Sequence, residues 1–215
     1  MTSCDLLIVA AFDPELAAVR AKVAHIAPRV AISAVGVGLV DAAIGTLEAH
    51  DRFRPKAVAL IGTCGAYRKS GLSIGDTAFA RSILLFDAGA ALSKAALPLP
   101  MANRIVLENP LVEALYRAGT NGITVATTLG ITTDDRLADE LERASGADVE
   151  HLEAFAVAQV CARRNTPFVA VFGIANIVGG EGRNQWEKNH EAASAAAANT
   201  LCSAGMDSLG RSRNL

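Results

Sequence analysis

The sequence predicts an α/β protein, a three-layer αβα sandwich around a mixed and largely parallel sheet. Apolar runs of strand length alternate with segments of helical period, and several runs are apolar throughout, as in strands that are covered on both faces. The chain of 215 residues is 51% hydrophobic and 20% charged, which suits one compact domain with a large core. We therefore expect a single domain over residues 1–209 and a frayed tail over residues 210–215.

The individual elements follow from these local patterns. The predicted strands are Leu6–Ala11, Val30–Val35, Ala57–Ile61, Ile74–Leu85, Gly122–Thr128 and Phe168–Ile174. The predicted helices are Pro14–Ile26, a segment from Gly38 to about His50, Glu150–Arg164 and Asn184–Leu209. Residues 86–104 contain glycine, alanine and proline without a clear period, so we expect a surface excursion there.

Composition and charge exclude several classes of protein. The net charge is -2 at pH 7 without a cluster of Lys or Arg, so neither a nucleic-acid partner nor an acidic membrane is expected. The alanine-rich stretch Ala192–Ala198 is interrupted by Ser194 and flanked by polar residues, which is not typical of a membrane span. A strand-like run begins at Leu6 with no basic region before it, so we expect no signal peptide and a cytoplasmic protein.

The cysteines show no spacing that is typical of a metal or redox site. They are Cys4, Cys64, Cys161 and Cys202. None forms a CxxC motif and most lie among apolar residues, so we expect reduced thiols, no metal and no cofactor.

Candidate functional residues follow the ends of four predicted strands. In open α/β sheets, ligands bind at the carboxyl ends of the strands. The residues at these ends are Phe12-Asp13-Pro14-Glu15, Gly36-Val37-Gly38, Gly62-Thr63-Cys64-Gly65-Ala66 and Ala175-Asn176. A further acid, Glu153, opens a small and apolar segment predicted as a helix, and a buried acid near a side-chain amide suits a pocket for a sugar and a base.

The segment Gly36-Val37-Gly38 has a second interpretation as part of a dinucleotide-binding fingerprint. The third glycine position of that fingerprint holds Asp41, whose carboxylate would oppose a pyrophosphate at the start of a helix. The segment therefore indicates a tight strand-to-helix turn, and glycine permits close approach of the backbone there.

Five segments in order resemble the nucleoside phosphorylase and nucleosidase superfamily, in particular methylthioadenosine/S-adenosylhomocysteine nucleosidases and futalosine hydrolases. They are Ala10–Leu16, Gly36–Ala43, Ile61–Ala66 with Gly71–Asp76, Leu152–Ala154 and Gly173–Asn176. The likeness runs from about Leu6 to Ala198. It implies the α/β fold predicted above, a small-molecule nucleoside substrate, and a homodimer or higher homo-oligomer.

The resemblance also implies roles for individual residues. Glu15 would activate the attacking water, Glu153 would bind the ribose hydroxyls, and Asn176 would hold the edge of the base. Each has a structural alternative: Glu15 as an acid that complements a helix dipole, Glu153 as a solvated cap, and Asn176 as a cap of the following segment.

Further binding residues are implied in the same way. Phe12 and Leu152 would wall the ribose, and the loop of Gly62 and Thr63 would let the ligand lie against the backbone. A backbone amide near Leu137 would add a contact to the base. Trp186 would cover the 5′ substituent, with a core or dimer-interface position as its alternative.

One departure from the superfamily pattern concerns the base. Adenine-specific relatives carry an aspartate in the place of Asn176, and the aspartate protonates the leaving adenine. An asparagine side chain donates and accepts hydrogen bonds but cannot deliver a full proton. This favours a 6-oxopurine such as that of futalosine, which is cleaved to hypoxanthine in a menaquinone route. His151 stands where adenine-specific relatives carry a second glutamate, and it has either a sugar-contact or a structural role.

A second departure concerns phosphate. Hexameric phosphorylases carry arginines where this chain has Leu16 and Leu60, and an apolar side chain cannot balance a buried phosphate dianion. We therefore predict a hydrolase that cleaves an N-glycosidic bond. A phosphate-dependent purine nucleoside phosphorylase and a non-catalytic nucleoside-binding protein are the alternatives.

Overall fold

The structure is a computed structural model and describes residues 3–23 and 29–209. Within these residues, one mixed sheet contains β1 (Leu6–Ala10), β2 (Val30–Ala34), β3 (Ala57–Ala66), β4 (Thr77–Leu85), β5 (Arg104–Val106), β6 (Asn121–Thr127), β7 (Val149–His151) and β8 (Phe168–Ile177). The helices are α1 (Ala17–Val23), α2 (Leu39–Phe53), α3 (Ala88–Ala91), α4 (Pro110–Arg117), α5 (Asp135–Ser145), α6 (Ala154–Arg163) and α7 (Gly182–Leu209). A 3₁₀ turn, Asp13–Leu16, precedes α1.

The sheet has the strand order β2-β1-β3-β7-β6-β4-β5, and β8 pairs with both β3 and β4. Strands β3, β7, β6, β4 and β8 therefore form a closed ring, from which β1 and β2 extend. Most pairs are parallel, whereas β3 with β7, β4 with β5 and β4 with β8 are antiparallel. The predicted α/β fold with a mixed, largely parallel sheet is confirmed, and the ring is a feature that the sequence did not predict.

The core lies around β1, β3 and β8. Every residue of β1 is buried, as are the first eight residues of β8. This burial explains the uninterrupted apolar runs, because helices cover both faces of these strands. Helix α7 packs closely on β8: a Cβ atom on Gly173 would lie 2.1 Å from the carbonyl oxygen of Ala193.

The predicted helix Glu150–Arg164 begins four residues later than expected, at Ala154. Residues Val149–His151 instead form β7, which pairs with Val125–Thr127 of β6 and with Gly65 and Ala66 of β3. This pairing is long-range and overrides the local helical pattern. The correction matters because it moves Glu150 and His151 from a helix to the sheet.

Other predicted boundaries also change. Residues 86–104 contain the short helix α3, and residues Asp135–Ser145 form α5, a helix that the sequence pattern did not predict. The C-terminal end of the predicted helix Pro14–Ile26 and the predicted tail 210–215 lie outside the described residues. No helix in the part of the chain that the structure describes is both long and apolar enough to cross a membrane.

Candidate active site

A cavity of about 310 Å³ opens at the carboxyl ends of β1, β3 and β8. Seven of the nine residues predicted from the sequence line it: Phe12, Glu15, Thr63, Leu152, Glu153, Asn176 and Trp186. They come from five separate segments of the chain, which the sheet brings together. The structure therefore gathers the two predicted acids and the predicted amide around one space.

Glu15 lies in the 3₁₀ turn after β1 and is only 4% exposed. Its Oε1 atom accepts hydrogen bonds from the backbone N–H of Thr63 at 3.0 Å and from the Thr63 hydroxyl at 3.3 Å. Its Oε2 atom is buried and has no partner among the described residues. A Cβ atom on Gly62 would lie 3.0 Å from Oε1, so a glycine at 62 makes room for this carboxyl group.

The environment of Glu15 disfavours its charged form. Burial is the main cause, repulsion from Glu153 adds to it, and the bonds from Thr63 act in the opposite direction, so that the pKa of Glu15 rises to about 7. A carboxyl group with such a pKa exchanges its proton near neutral pH, which suits a general base. The unpartnered Oε2 is the atom available for the proton of a bound water.

Glu153 is also buried, and it immediately precedes α6. Its Oε1 atom accepts a hydrogen bond of 2.7 Å from the backbone N–H of Gly38. Gly38 has a φ of +85°, a left-handed conformation that glycine adopts without strain. The strand-to-helix turn at 36–38 thus orients this carboxylate, which is not a solvated cap.

His151 caps helix α6 in place of Glu153. Its Nδ1 atom accepts hydrogen bonds from the backbone N–H groups of Glu153 and Ala154 at 3.0 and 3.1 Å. Burial lowers the pKa of His151, so the ring is neutral at pH 7 and carries its proton on Nε2. The approach of Nδ1 to Glu153 Oε2, at 3.2 Å, is therefore not an ion pair. This cap leaves the Glu153 carboxylate free for a ligand.

Asn176 lies near the end of β8, and two glycines make room for its amide. A Cβ atom on Gly65 would lie 2.8 Å from Asn176 Nδ2, and one on Gly182 would lie 3.1 Å from it. Nδ2 donates a hydrogen bond of 3.2 Å to the carbonyl oxygen of Ile177. Oδ1 has no hydrogen-bond partner within the described part of the chain, so the amide retains an acceptor for a ligand in the cavity.

Glu150 is a third buried carboxylate in the cavity lining, and sequence reasoning missed it. Its Oε1 accepts from the backbone N–H of Thr132 at 2.9 Å, and its Oε2 accepts from the hydroxyls of Thr132 and Tyr67 at 2.6 and 3.3 Å. Burial raises its pKa, and these hydrogen bonds lower it. No local signal identified Glu150, because its position depends on the pairing of β7.

Glu150 and Asn176 flank the same residue of β3. Gly65 pairs with Glu150 of β7 on one side and with Asn176 of β8 on the other. Directly paired residues place their side chains on the same face of a sheet. The two side chains therefore border Gly65, above which an added Cβ atom would lie 2.8 Å from Asn176 Nδ2 and 2.9 Å from Val178 Cγ2.

Trp186, the only tryptophan of the chain, lies on the first turns of α7. Its Nε1–H group donates a hydrogen bond of 3.0 Å to the hydroxyl oxygen of Thr63. Its ring packs against Phe12 at a centroid distance of 6.3 Å and stacks on His190 at 4.3 Å. Trp186 is thus both a wall of the cavity and a hydrogen-bond donor to a residue that contacts Glu15.

Two predicted residues do not line the cavity. Gly62 lies behind Glu15, as described above. Leu137 was expected to offer a backbone amide to the base, but its N–H group donates to Asp134 Oδ1 at 2.8 Å as part of the N-terminal cap of α5. The Leu137 side chain packs against a separate apolar cluster that includes Tyr67. The formation of α5 is the physical reason for this correction.

Charges around the cavity are unfavourable for a phosphate. Leu16 and Leu60 are fully buried in the core. Arg68 forms an ion pair of 2.8 Å with Asp135 and does not line the cavity. Among the lining residues, the single Lys or Arg is Arg183, whose guanidinium group lies over the Trp186 ring and which contacts Glu187.

Sequence comparison identifies relatives of the chain. The sequence profile of the phosphorylase superfamily matches residues 11–206. A 5′-methylthioadenosine/S-adenosylhomocysteine nucleosidase from Geobacillus thermodenitrificans is 32% identical over 178 residues, covering 78% of this chain and 75% of the relative. The nucleosidase of the same name from Thermotoga maritima is 28% identical over 155 residues, covering 72% of this chain and 69% of the relative.

Solved structures have the same fold. The methylthioadenosine/S-adenosylhomocysteine nucleosidase from Colwellia psychrerythraea, in complex with adenine, aligns with a TM-score of 0.81 at 20% identity and covers 94% of this chain and 96% of its own. A futalosine hydrolase mutant from Helicobacter pylori aligns with a TM-score of 0.84 at 16% identity, and the alignment covers 93% of this chain and 97% of the hydrolase.

The fold and the cavity define an α/β protein with a small-molecule site at its strand ends. The chain belongs to the phosphorylase superfamily, as its match over residues 11–206 and its nucleosidase relatives show. The resemblance inferred from five sequence segments is thereby confirmed.

Proposed function

We propose that the protein hydrolyses the N-glycosidic bond of a 6-oxopurine nucleoside, and that futalosine is the best single candidate. Its relatives are nucleosidases, and at that level of description the protein is a purine N-glycosidic-bond hydrolase. The oxo group of the base and the nature of the 5′ substituent are the finer parts of the proposal.

One observation carries the mechanism: Glu15 keeps a buried and unpartnered oxygen in the same cavity as Glu153 and Asn176. A buried acceptor without a partner costs about 1–3 kcal/mol, and a bound water in the complex would remove this cost. Burial, with a smaller contribution from repulsion by Glu153, raises the pKa of Glu15. Both carboxyl groups line the same cavity.

The reaction then follows from the charges. As the bond between the ribose and the base breaks, its electron pair moves to the base and positive charge develops on the sugar ring. The water oxygen bonds to the sugar carbon, and Glu15 receives one proton of that water. Glu153 accepts hydrogen bonds from the ribose hydroxyls and stabilises the cationic ring. Asn176 holds the base as it departs.

Water is favoured over phosphate as the nucleophile. The two places where phosphorylases of this superfamily carry arginines hold Leu16 and Leu60 here, and both leucines lie in the core. A phosphate dianion would meet Glu15 and Glu153 instead of a cation on this side of the cavity, and burial of an unpaired charge is strongly unfavourable.

The base end of the cavity supports a 6-oxopurine. An ionised carboxylate has about four acceptor positions, and three donors already contact Glu150. One position is left for a ligand N–H group. A 6-oxopurine carries such a group at N1, whereas adenine carries a lone pair there, which a carboxylate repels. Glu150 and Asn176 together would therefore read the edge of the six-membered ring.

The cation at the cavity mouth supports an anionic 5′ substituent. Arg183 lies beside Trp186, in the region that the family resemblance assigns to the 5′ group. Its side chain is 65% exposed, so it can turn from Glu187 towards a ligand. Futalosine carries a carboxylate at its 5′ end and inosine does not, so the two nucleosides differ at the atoms that Arg183 would contact.

A substrate panel tests the proposal. The protein is incubated with futalosine, inosine, methylthioadenosine and adenosylhomocysteine, each with and without phosphate, and the released base is quantified by chromatography. Hypoxanthine release from futalosine without phosphate, at a higher kcat/KM than for the other three, is expected. A preference for methylthioadenosine and adenosylhomocysteine would contradict the 6-oxopurine assignment. It would instead indicate the nucleosidase activity for which the relatives are named.

The other outcomes of the panel identify the remaining alternatives. Base release that depends strictly on phosphate would identify a phosphorylase. Binding of a nucleoside by calorimetry, without release of base from any of the four, would identify a non-catalytic binding protein. The E15Q variant serves as the control, because it removes the proposed base and keeps the size of the side chain.

We also propose that the protein forms a homodimer through α2. The exposed apolar residues of this region are Val37, Val40, Ile44 and Leu47. Val40, Ile44 and Leu47 are spaced three or four residues apart on α2, which places them on one helical face, and Val37 lies just before the helix. Val37 also lines the cavity, so a second copy on this face would cover part of its mouth. Light scattering of V40E and I44E should show a smaller species than the native protein, and equal masses would contradict the proposal.

A further inference from the structure

Three side chains from three parts of the chain form a continuous hydrogen-bond relay: Trp186 on α7, Thr63 on β3 and Glu15 after β1. The indole Nε1–H lies 3.0 Å from the Thr63 hydroxyl oxygen. The same hydroxyl lies 3.3 Å from Glu15 Oε1, which also receives the backbone N–H of Thr63 at 3.0 Å. The relay ends on the carboxyl group that we propose as the base.

The chemistry of the three groups gives the relay one direction. An indole N–H is a donor only, so the Thr63 oxygen must accept from Trp186. A hydroxyl has one proton, and the proton of Thr63 is then free for Glu15, whose ionised carboxylate is an acceptor only. A hydroxyl that accepts a hydrogen bond is also a better donor, because neighbouring hydrogen bonds polarise one another.

We propose that Trp186 is a positioning residue for Glu15, and that its indole N–H holds the Thr63 hydroxyl as a donor to the Glu15 carboxylate. The inference rests on the proposed role of Glu15 as the base. It adds a function for Trp186 that an aromatic wall does not require, since a phenylalanine would provide the same wall. The relay stabilises the ionised form of Glu15, which is the form that accepts a proton from water.

Other ionisable groups near Glu15 also affect its pKa. The facing acid is Glu153, across the cavity, and its charge opposes ionisation of Glu15. On β3, burial raises the pKa of Cys64 above its usual value, so this thiol keeps its proton. Strands β1 and β2 carry no ionisable side chain. On α7, Arg183 and His190 contact the Trp186 ring.

Four variants separate the effect of the indole N–H group from that of the aromatic ring. W186F removes the donor and keeps a ring, whereas T63V removes the hydroxyl and keeps the backbone N–H. T63S keeps a hydroxyl, and the double variant W186F/T63V combines the first two changes. The Glu15 carboxyl is titrated in the full-length protein by NMR after ¹³C labelling of glutamate, with E15Q for assignment. The pH profile of kcat/KM is recorded on the best substrate of the panel.

Expected results follow from the relay. T63V should raise the pKa of Glu15, and the acid limb of kcat/KM, by about one unit, because it removes one hydrogen bond to a charged group. W186F should raise both by about half a unit, because the remaining hydroxyl is a weaker and less oriented donor. T63S should match the native protein, and the double variant should match T63V, because Trp186 acts through the hydroxyl.

Two results would overturn the inference. If W186F lowers kcat or raises KM and leaves the NMR titration of Glu15 unchanged, Trp186 is a wall only. If the shifts of W186F and T63V add in the double variant, Trp186 acts on Glu15 by a route other than Thr63. T63V probes the relay from its other end should W186F not fold. Shifts in the NMR titration without turnover of any nucleoside would leave the relay intact and reject the proposed function.

Discussion

The two ends of the cavity use buried carboxylates in different ways. At the sugar end, Glu15 has an oxygen without a partner and faces a second acid, Glu153. At the base end, both oxygens of Glu150 are engaged by donors from Thr132 and Tyr67. In the proposed reaction, the sugar end would carry the proton transfer and the base end would recognise the base. Substitutions at the two ends should therefore affect the rate and the choice of base separately.

The largest effect is expected at the sugar end. E15Q should lower kcat by about 10²–10⁴-fold with little change in KM, because it removes a general base and leaves the hydrogen bond from the Thr63 backbone intact. Steady-state kinetics on the best substrate would measure it. E140Q is the matched control, since Glu140 pairs with Arg143 on the exposed side of α5. A loss below about tenfold would place the base elsewhere.

A smaller and more selective effect is expected from Glu150. E150Q should lower kcat/KM for 6-oxopurine nucleosides by about 10–100-fold, because the amide replaces a charged acceptor with a neutral one. Activity on methylthioadenosine should fall less or rise, since the repulsion towards the N1 lone pair of adenine is removed. Equal losses on both kinds of nucleoside would mean that Glu150 supports the fold and does not read the base.

Substitution of Asn176, the other residue at the base end, should change the preference between adenine and 6-oxopurine nucleosides. N176D should raise the ratio of kcat/KM for adenine over 6-oxopurine nucleosides by about tenfold, because a protonated aspartate can deliver the proton that the leaving adenine needs. The ratio is measured with inosine and methylthioadenosine on one batch of protein. An unchanged ratio would remove Asn176 from base recognition, and the sugar end would be unaffected by that result.

The smallest effect concerns stability. The pKa of Glu15 is raised from 4.5 to about 7 in the folded protein, so stability is highest below pH 4.5 on this account and declines as the pH rises to 7. E15Q lacks this decline and should exceed the native protein by about 1–3 kcal/mol at pH 8, with little difference at pH 4.5. Urea unfolding at the two pH values measures the difference. A parallel pH dependence of the two proteins would contradict the raised pKa.

Much of the fold could be predicted because the central strands are apolar on both faces. The runs at β1, β3 and β8 contain almost no polar residue, and only covered strands explain such runs. The position of Glu15 at the strand ends was predictable for the same reason, since it lies in the turn that follows β1. The ring in the sheet was not predictable, because it depends on the pairing of β8 with β4 as well as β3, which leaves no local pattern.

The base end was harder to predict. Strand β7 has only three residues, and it exists because β6 and β3 supply its hydrogen bonds. Without β7, Glu150 reads as the first turn of a helix. Helix α5 carries many charges and no long apolar run, so the sequence pattern did not predict it, and the Leu137 amide was expected to contact the base. Asp134, which accepts a hydrogen bond from the third residue after it, was a cap signal that could have revealed this helix.

The contact between Gly173 and α7 lies next to the site, because Gly173 pairs with Thr63 of β3. A methyl group on residue 173 would overlap the carbonyl of Ala193, so a Gly173→Ala change must move either the strand or the helix. Trp186 lies on the same helix as Ala193. A shift of α7 by the width of one methyl group would lengthen the hydrogen bond from Trp186 to Thr63. Through the proposed relay, this tight backbone packing beside Thr63 would influence the acidity of Glu15.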